Sequence, residues 1–398
     1  MKFVILCGDG MGDYPVPELG NKTILEAADI PNMRRIAGAG EVRMVTTVPP
    51  ELPPGSDVAN LGLLGYNASE NYTGRAPIEA AGGGIPMGPD DVAYRCNLVT
   101  VRNGRMHDYS AGHISTEEGH ELVGALDQKL GRDGLRFHGG VQYRHLLIWK
   151  NGPVKIKTQP PHDIAGKPVA DNLPSGERSN EVRALMESSK PIFAEHPVNL
   201  NRSVRNLEPA TQAWLWGQGR SMKLESFAKK YGLRGGVISA VDLVRGIGVL
   251  AGLEAPRVPG ATGFLDTNYP GKVSTALKIL STSDFIYIHI EAPDECGHLG
   301  DWQKKRQAIE DFDRHVVGPV WRALENKKEP YRLLVAMDHR TPVSIRGHSR
   351  EPVPLAVLNG PVGPVSKDAA FDESINGGRA QANSWEWVSE LLRGAGKK

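Results

Sequence analysis

Three short segments of this 398-residue chain carry side chains of the kind that bind divalent cations. Asp9 follows the apolar run Phe3–Cys7. The run Phe285–Ile290 leads into Glu291-Ala292-Pro293-Asp294-Glu295-Cys296-Gly297-His298, which sets Asp294 and His298 four residues apart. The run Arg332–Met337 leads into Asp338-His339, with His348 nine residues beyond. Carboxylates mixed with imidazoles suit Zn²⁺ or Mn²⁺ better than the all-oxygen cages of Mg²⁺ or Ca²⁺. Asp9, Asp294, His298, Asp338, His339 and His348 are too many for one tetrahedral ion and enough for two. A pair of ions can clamp a transferring phosphoryl group and activate an oxygen nucleophile. Ser56 is the candidate nucleophile. It follows the turn Pro53-Pro54-Gly55 and precedes a helix-like stretch, and free N–H groups at a helix N-terminus favour anions.

Each residue taken alone has a plainer explanation. An Asp after a strand is usually a cap or turn residue, and a Ser before a helix is usually its N-cap. An Asp-x-x-x-His pair arises easily in a chain with 12 His. The coincidence of three such clusters at the ends of apolar runs is what points to a metal site.

For the clusters to converge, the runs before them must be neighbouring strands with their carboxyl ends on one edge. Phe3–Cys7, Gly235–Ser239, Phe285–Ile290 and Arg332–Met337 all read as short buried strands of a parallel sheet. A helix is predicted within Thr23–Ala37, restarting near Pro31. Ile309, Phe312, Val316 and Val320 keep helical spacing, with Pro319 expected to kink or end that helix. Alternating buried strands and amphipathic helices give an α/β domain with a mainly parallel sheet. The middle of the chain differs. Tyr94–Val101 alternates, Asn103-Gly104 is a turn signal, and Thr116–Leu130 is a helix capped by Ser115 or Thr116. Val141–Trp149 reads as another strand, and a further helix spans about Asn180 to Ala194. These features predict a smaller α+β domain inserted at 90–205, dividing the metal-binding core into 1–89 and 206–398.

Composition narrows the function classes. Lys and Arg number 47 and Asp and Glu 46, a net charge of +1. That balance excludes a globally basic nucleic-acid binder and an acidic tail. The 46 Gly and 29 Pro are about 19% of the chain, against about 12% in average usage, which argues for many ordered turns. Three widely spaced cysteines, Cys7, Cys96 and Cys296, argue against a disulfide framework and for a reducing compartment. The apolar N-terminal run is too short for a signal peptide, and no run of about 18 apolar residues could span a membrane. A cytoplasmic location is expected, with neither nucleic acid nor membrane as partner. Oligomeric state leaves no mark in the sequence.

Several of these segments resemble one family. Gly8-Asp9-Gly10-Met11-Gly12-Asp13, Pro54-Gly55-Ser56-Asp57-Val58-Ala59-Asn60, Glu291-Ala292-Pro293-Asp294 with His298, and Asp338-His339 through Pro342 to His348 are similar to the archaeal-type cofactor-independent phosphoglycerate mutases of the alkaline phosphatase superfamily. The likeness spans essentially the whole chain, including Gly74-Arg75-Ala76-Pro77-Ile78-Glu79-Ala80, Pro161-His162-Asp163-Ile164 and Gly263-Phe264-Leu265-Asp266-Thr267-Asn268. It departs at His113, where archaeal relatives tend to carry Arg.

The resemblance implies an alkaline-phosphatase-like core with helices on both faces of the sheet and an inserted α+β domain. It also implies two divalent metal ions (Mn²⁺, Zn²⁺ or Mg²⁺) and no bisphosphoglycerate. One ion would be held by Asp9, Ser56, Asp338 and His339, the other by Asp294, His298 and His348. Ser56 would take the phosphoryl group of 3-phosphoglycerate and return it to give 2-phosphoglycerate. A small phosphorylated hydroxy acid needs cationic partners, for which bidentate Arg is the natural choice. Arg75, Arg144 and Arg245 are the candidates, with Lys272 behind them and Arg95 comparable. His162 and Asp163 could move a proton or hold the glycerate hydroxyls. Two alternatives share the metal core: phosphate transfer to another small hydroxy acid or homoserine, and metal-dependent hydrolysis of a phosphate ester. No Gly-x-x-x-x-Gly-Lys-Ser/Thr pattern supports a nucleotide site for the first.

Overall fold

A strand as continuously apolar as Lys2–Gly8 must be covered on both faces and flanked on both edges. Phe3 to Gly8 are buried. The strand pairs in parallel with Phe285–Ile290 on one side and with Tyr331–Ala336 on the other. The computed structural model describes residues 1–365 and 367–394. In it these strands belong to a seven-stranded sheet, ordered Gly235–Ile238, Phe285–Ile290, Lys2–Gly8, Tyr331–Ala336, Val353–Gly360, Glu41–Thr46 and Ala382–Asn383. Val353–Gly360 alone runs against the rest. The sheet is therefore mainly parallel, and the first unit is a mixed α/β structure.

The register explains why the clusters meet. Gly8 stands opposite Ile290, and Cys7 opposite both His289 and Ala336. The next residues to leave the sheet are thus Asp9 and Glu291, side by side, with Asp338 close behind. The Asp9 N–H still donates to the Ile290 carbonyl at 2.9 Å. Ser239, one strand further out, leaves the same edge.

The chain divides into two compact units, Met1–Tyr72 with the chain from Lys223 onward, and Thr73–Met222. The second unit is built on an antiparallel sheet. Asp91–Arg102 pairs with Arg105–Asp108, Arg144–Lys150 and Gln212–Arg220, and Leu135–Val141 pairs with Arg144–Lys150. The unit is wider than the expected interval 90–205 for two reasons. Helix Arg75–Gly82 sets Ala76 and Ala80 against Ala93, Leu146 and Ile148, and Gln212–Arg220 is a strand of its sheet.

Local expectations met mixed outcomes. Helix Thr116–Leu130 is present, capped by Ser115, whose side chain accepts from the Glu118 N–H. The helix expected in Thr23–Ala37 is two helices, Ile24–Ala27 and Pro31–Ala39, the first opened by a capping box between Thr23 and Glu26. The strand expected at Val141–Trp149 is the second half of a hairpin, Arg144–Lys150, because Gln142 turns the chain at φ 55°. Pro319 neither kinks nor ends its helix. A π-helical turn, Asp313–Val317, precedes it, and Pro319 then sits in the first turn of Gly318–Lys327, where its missing N–H is tolerated. Among the described residues no helix is long and apolar enough to cross a membrane.

Candidate metal centre and nucleophile

Ser56 opens helix Ser56–Leu63, and Gly55 holds the cap position. The serine side chain makes no capping bond. Its hydroxyl donates to Asp9 Oδ2 at 3.3 Å and lies 3.1 Å from His339 Nε2. Asn60, one turn along, fixes this placement. Its Nδ2 donates to the Ser56 carbonyl and to Asp338 Oδ2, both at 2.9 Å, while the Tyr287 hydroxyl donates to Asn60 Oδ1. The helix that carries the candidate nucleophile is thereby tied to the loop that carries two candidate ligands. In the sequence Asn60 stands out only as the last residue of the segment Pro54–Asn60. A buried polar residue one turn after Ser56 was the available signal.

Asp338 organises the loops around it. Its Oδ1 accepts from the N–H groups of Gly10 at 3.0 Å and His339 at 2.9 Å. Gly10 has φ 59°, and a Cβ there would fall 2.4 Å from Thr341 Oγ1 and 2.7 Å from Asp294 Oδ1. Only glycine lets these three loops close on one another.

On the other side of the centre, the Thr341 hydroxyl donates to Asp294 Oδ1. His298 Nε2 is 3.2 Å from Asp294 Oδ2, and His348 Nε2 is 3.4 Å from Asp294 Oδ1. The two imidazole Nε2 atoms are 3.0 Å apart. Their Nδ1 atoms face the carbonyls of Arg346 at 3.0 Å and Pro54 at 3.3 Å. A carbonyl can only accept, so each Nδ1 carries a proton and Nε2 is the atom each ring turns inward. Two inward imidazole nitrogens and a carboxylate at this spacing suit a cation once the proton on His298 Nε2 has left. Ligand atoms of Asp294, His339 and His348 lie within 4.8 Å of one another, as do those of Asp9, Asp338 and His339. All seven residues expected in the metal and nucleophile set therefore converge, with His339 common to both groups. The residues fit divalent ions.

The electrostatics agree. Burial, reinforced by Asp338, Glu291 and Asp294, holds Asp9 well above the usual carboxylate range. Asp294 lies well below it, because His298 and His348 outweigh its burial. Burial pushes His339 down. Burial alone would also lower His298, but the Asp294 carboxylate outweighs it and lifts that imidazole to about 9. In the metal-free protein His298 thus keeps a proton that an incoming ion must displace. Affinity for Mn²⁺, measured by calorimetry, is expected to rise with pH up to about 9 and then level off. An affinity independent of pH across that window would contradict this. The same proton stabilises the metal-free fold fully below 6.5, and that contribution is lost as pH rises through about 9.

Lys305 supports the centre from behind. Its Nζ is fully buried and donates to the Gly12 carbonyl, Asp13 Oδ2 and the Thr341 carbonyl, each at 2.8 Å. One ammonium thus joins the loop after Asp9 to the loop after His339. Lys305→Met removes the counter-ion of buried Asp13 and is expected to cost about 3–5 kcal/mol. An unchanged urea midpoint would refute this.

The residues expected to meet substrate lie as follows. Arg245, on helix Asp242–Leu250, directs its guanidinium to the Ala255 carbonyl at 2.8 Å and to Asp242 Oδ1 at 2.5 Å. Arg75, Arg144, His162 and Asp163 belong to the second unit. There Arg75 and Arg95 flank Glu79 at 2.9 and 2.8 Å. Arg95 stacks on Trp216 and Arg144 on Tyr143, each 4.5 Å from the ring centre. His162, in a 3₁₀ turn at Pro161–Ile164, meets Trp216 and Tyr109 edge-on, and its Nε2 is 3.6 Å from Asp163. Burial would raise Glu79, yet Arg95, Arg75 and Arg144 together hold it below the usual range.

Comparison with known proteins identifies this architecture. A family model described as 2,3-bisphosphoglycerate-independent phosphoglycerate mutase matches residues 37–199. The 2,3-bisphosphoglycerate-independent phosphoglycerate mutase of Methanosarcina mazei is 47% identical over 396 residues, covering 99% of this chain and 100% of its own. The chain belongs to this family. Among solved structures, a Pyrococcus horikoshii protein superposes with a TM-score of 0.81 at 26% identity, over 100% of this chain and 98% of its own. The cofactor-independent phosphoglycerate mutase of Thermoplasma acidophilum gives 0.59 at 25% identity, over 98% and 99%. Membership makes the chain an enzyme of the mutase class, independent of bisphosphoglycerate. The converging ligands provide for divalent metal.

Proposed function

We propose that this mutase interconverts 3-phosphoglycerate and 2-phosphoglycerate through a phosphoserine on Ser56, supported by two divalent ions drawn from Mn²⁺, Zn²⁺ and Mg²⁺. The observation that carries the reading is the Ser56 hydroxyl, held between Asp9 and His339 and taking no part in capping its helix. Bound ions would supply positive charge that acidifies this hydroxyl and neutralises the phosphoryl oxygens. Ser56 Oγ attacks phosphorus, the bond from phosphorus to the C3 oxygen breaks, and that oxygen gains a proton. The glycerate then presents its C2 hydroxyl, which attacks the phosphoserine. The bond from phosphorus to Oγ breaks, and Ser56 recovers its proton. No second phosphate is needed, because the serine stores the transferring group.

In the second unit, Arg75, Arg95 and Arg144 gather around Glu79 and all act on its carboxylate. Guanidiniums suit the carboxylate and phosphate of the substrate, and we assign anion recognition to Arg75 and Arg144 with Arg95 beside them. His162 and Asp163 offer groups for the glycerate hydroxyls. Purified protein supplied with Mn²⁺ and no bisphosphoglycerate is expected to turn 3-phosphoglycerate into 2-phosphoglycerate in an enolase-coupled assay. Release of inorganic phosphate in place of isomerisation would overturn the proposal.

A further inference from the structure

Glu373 belongs to neither group of candidate ligands, yet its carboxylate is buried against the loop that follows Asp9. It lies between strands Val353–Gly360 and Ala382–Asn383, just ahead of a 3₁₀ turn at Ile375–Gly378. Its Oε1 accepts from the Asp13 N–H at 2.8 Å, and its Oε2 accepts from the Thr23 hydroxyl at 2.6 Å. Burial lifts this carboxyl above the usual range, although both donors and the Arg340 charge oppose the rise. Burying a carboxylate is costly, and the two bonds offset only part of that cost.

The Asp13 N–H belongs to the peptide that joins Gly12 to Asp13. The carbonyl of the same peptide, on Gly12, accepts from Lys305 Nζ at 2.8 Å and from the Thr341 N–H at 3.1 Å. One peptide plane is thus held at both ends, by an anion on its N–H and a cation on its carbonyl. Gly12 has no Cβ to resist rotation of this plane, and none would fit, since it would fall 2.5 Å from Arg340 Cγ. Two candidate ligands depend on the plane. Asp9 lies three residues before Gly12 in the same loop. Thr341, whose N–H meets the Gly12 carbonyl, donates its hydroxyl to Asp294 Oδ1. The Asp13 carboxylate in turn accepts from the Val343 N–H at 3.2 Å, in the loop between His339 and His348.

We propose that Glu373 is a positioning residue of the metal centre. By holding the Gly12–Asp13 peptide it sets Asp9 and, through Thr341, Asp294 at the spacing the divalent ions require. It acts through Asp13 and is no ligand itself. The inference rests on the metal-centre reading above and not on which substrate is isomerised. Glutamine could serve in the same way, its carbonyl oxygen on the Asp13 N–H and its NH₂ on a free lone pair of Thr23 Oγ1. An apolar side chain could not.

The full chain is stripped with chelator and titrated with Mn²⁺ by calorimetry, and the enolase-coupled rate is then read at saturating Mn²⁺. Glu373→Met keeps the volume and removes both acceptors. It is expected to bind Mn²⁺ about 10–100-fold more weakly than wild type and to lose kcat by a similar factor, the usual effect of losing a group that orients ligands. KM for 3-phosphoglycerate should stay within about twofold. Glu373→Gln should bring both quantities to within about threefold of wild type. Thr23→Val removes the other partner of the carboxylate and a helix cap. It should lower the urea midpoint of the metal-free protein and leave Mn²⁺ affinity and kcat in place. A Glu373→Met protein that lowers only the urea midpoint, or that does not fold, would overturn the proposal, since the residue would then serve the fold alone. Loss of Mn²⁺ affinity in Thr23→Val as large as in Glu373→Met, or no rescue by Glu373→Gln, would do the same. Wild type that binds no Mn²⁺ would bring down the metal-centre reading itself, a failure visible before any variant is made.

Discussion

Ser56→Ala is expected to lower the enolase-coupled rate by at least about 10⁴-fold while the protein stays folded. Removing the nucleophile of a covalent mechanism costs this much because the remaining groups only bind and polarise. The structure separates chemistry from stability at this position. The Ser56 side chain makes no capping bond. Asn60 holds the backbone carbonyl of Ser56, which alanine keeps. Stability should therefore change by no more than about 0.5 kcal/mol. The ligands on Asp294, His298 and His348 do not touch the serine, so Mn²⁺ should still bind. Wild type incubated with substrate labelled in its phosphate should retain label on the protein, and the variant should not. A variant that isomerises within about tenfold of wild type would end the phosphoserine reading, because no displacement of Ser56 could then be rate-supporting.

The candidate metal centre was legible because its residues sit where an open parallel sheet must release them. Phe3–Cys7, Phe285–Ile290 and Arg332–Met337 are apolar enough to be recognised as buried strands, and the candidate ligands Asp9, Asp294, Asp338 and His339 follow them within a few residues. His289 escaped for the opposite reason. It lies inside an apolar run, where a single polar residue reads as an interruption and not as a neighbour of the site, although its Nε2 is 3.0 Å from Asp9 Oδ2. The fact that betrays it is register: Cys7 opposite His289 brings the imidazole alongside Asp9, and pairing of strands almost three hundred residues apart is not written locally. The boundaries of the second unit were missed similarly. Arg75–Gly82 looks like any short amphipathic helix, and only its packing on Ala93, Leu146 and Ile148 assigns it to the insertion. Arg245 shows the limit for single charges, since the carbonyl its guanidinium holds, that of Ala255, belongs to a loop with no sequence signature.

Asp338→Asn is expected to be nearly as damaging as loss of the nucleophile, by a different route. The Asp338 carboxylate accepts from three donors: the N–H groups of Gly10 and His339 and the Nδ2 of Asn60. It is fully buried. An amide there replaces one acceptor oxygen with an NH₂ group that must face an existing donor, at a cost of about 1–3 kcal/mol for each bond left unmade. The strained contact is either with Asn60, which positions the Ser56 helix, or with Gly10, which positions Asp9. The amide also removes one negative charge and a strong ligand from the Asp9–Asp338–His339 group. The variant should thus lose one ion per chain, shift its urea midpoint downward, and fall in activity by about 10³-fold or more, since metal stabilisation of the transferring charge amounts to several kcal/mol. Excess Mn²⁺ should restore little of the rate, because the donor clash persists when the ion is forced in. The comparison that isolates this effect is Asn60→Ala, which removes a donor but no charge. It should keep full metal content and lose activity mainly in kcat, through a misplaced Ser56. If Asp338→Asn instead retained its metal and rate, Asp338 would be a structural acceptor only, and the group with Asp9 and His339 would not be a metal site.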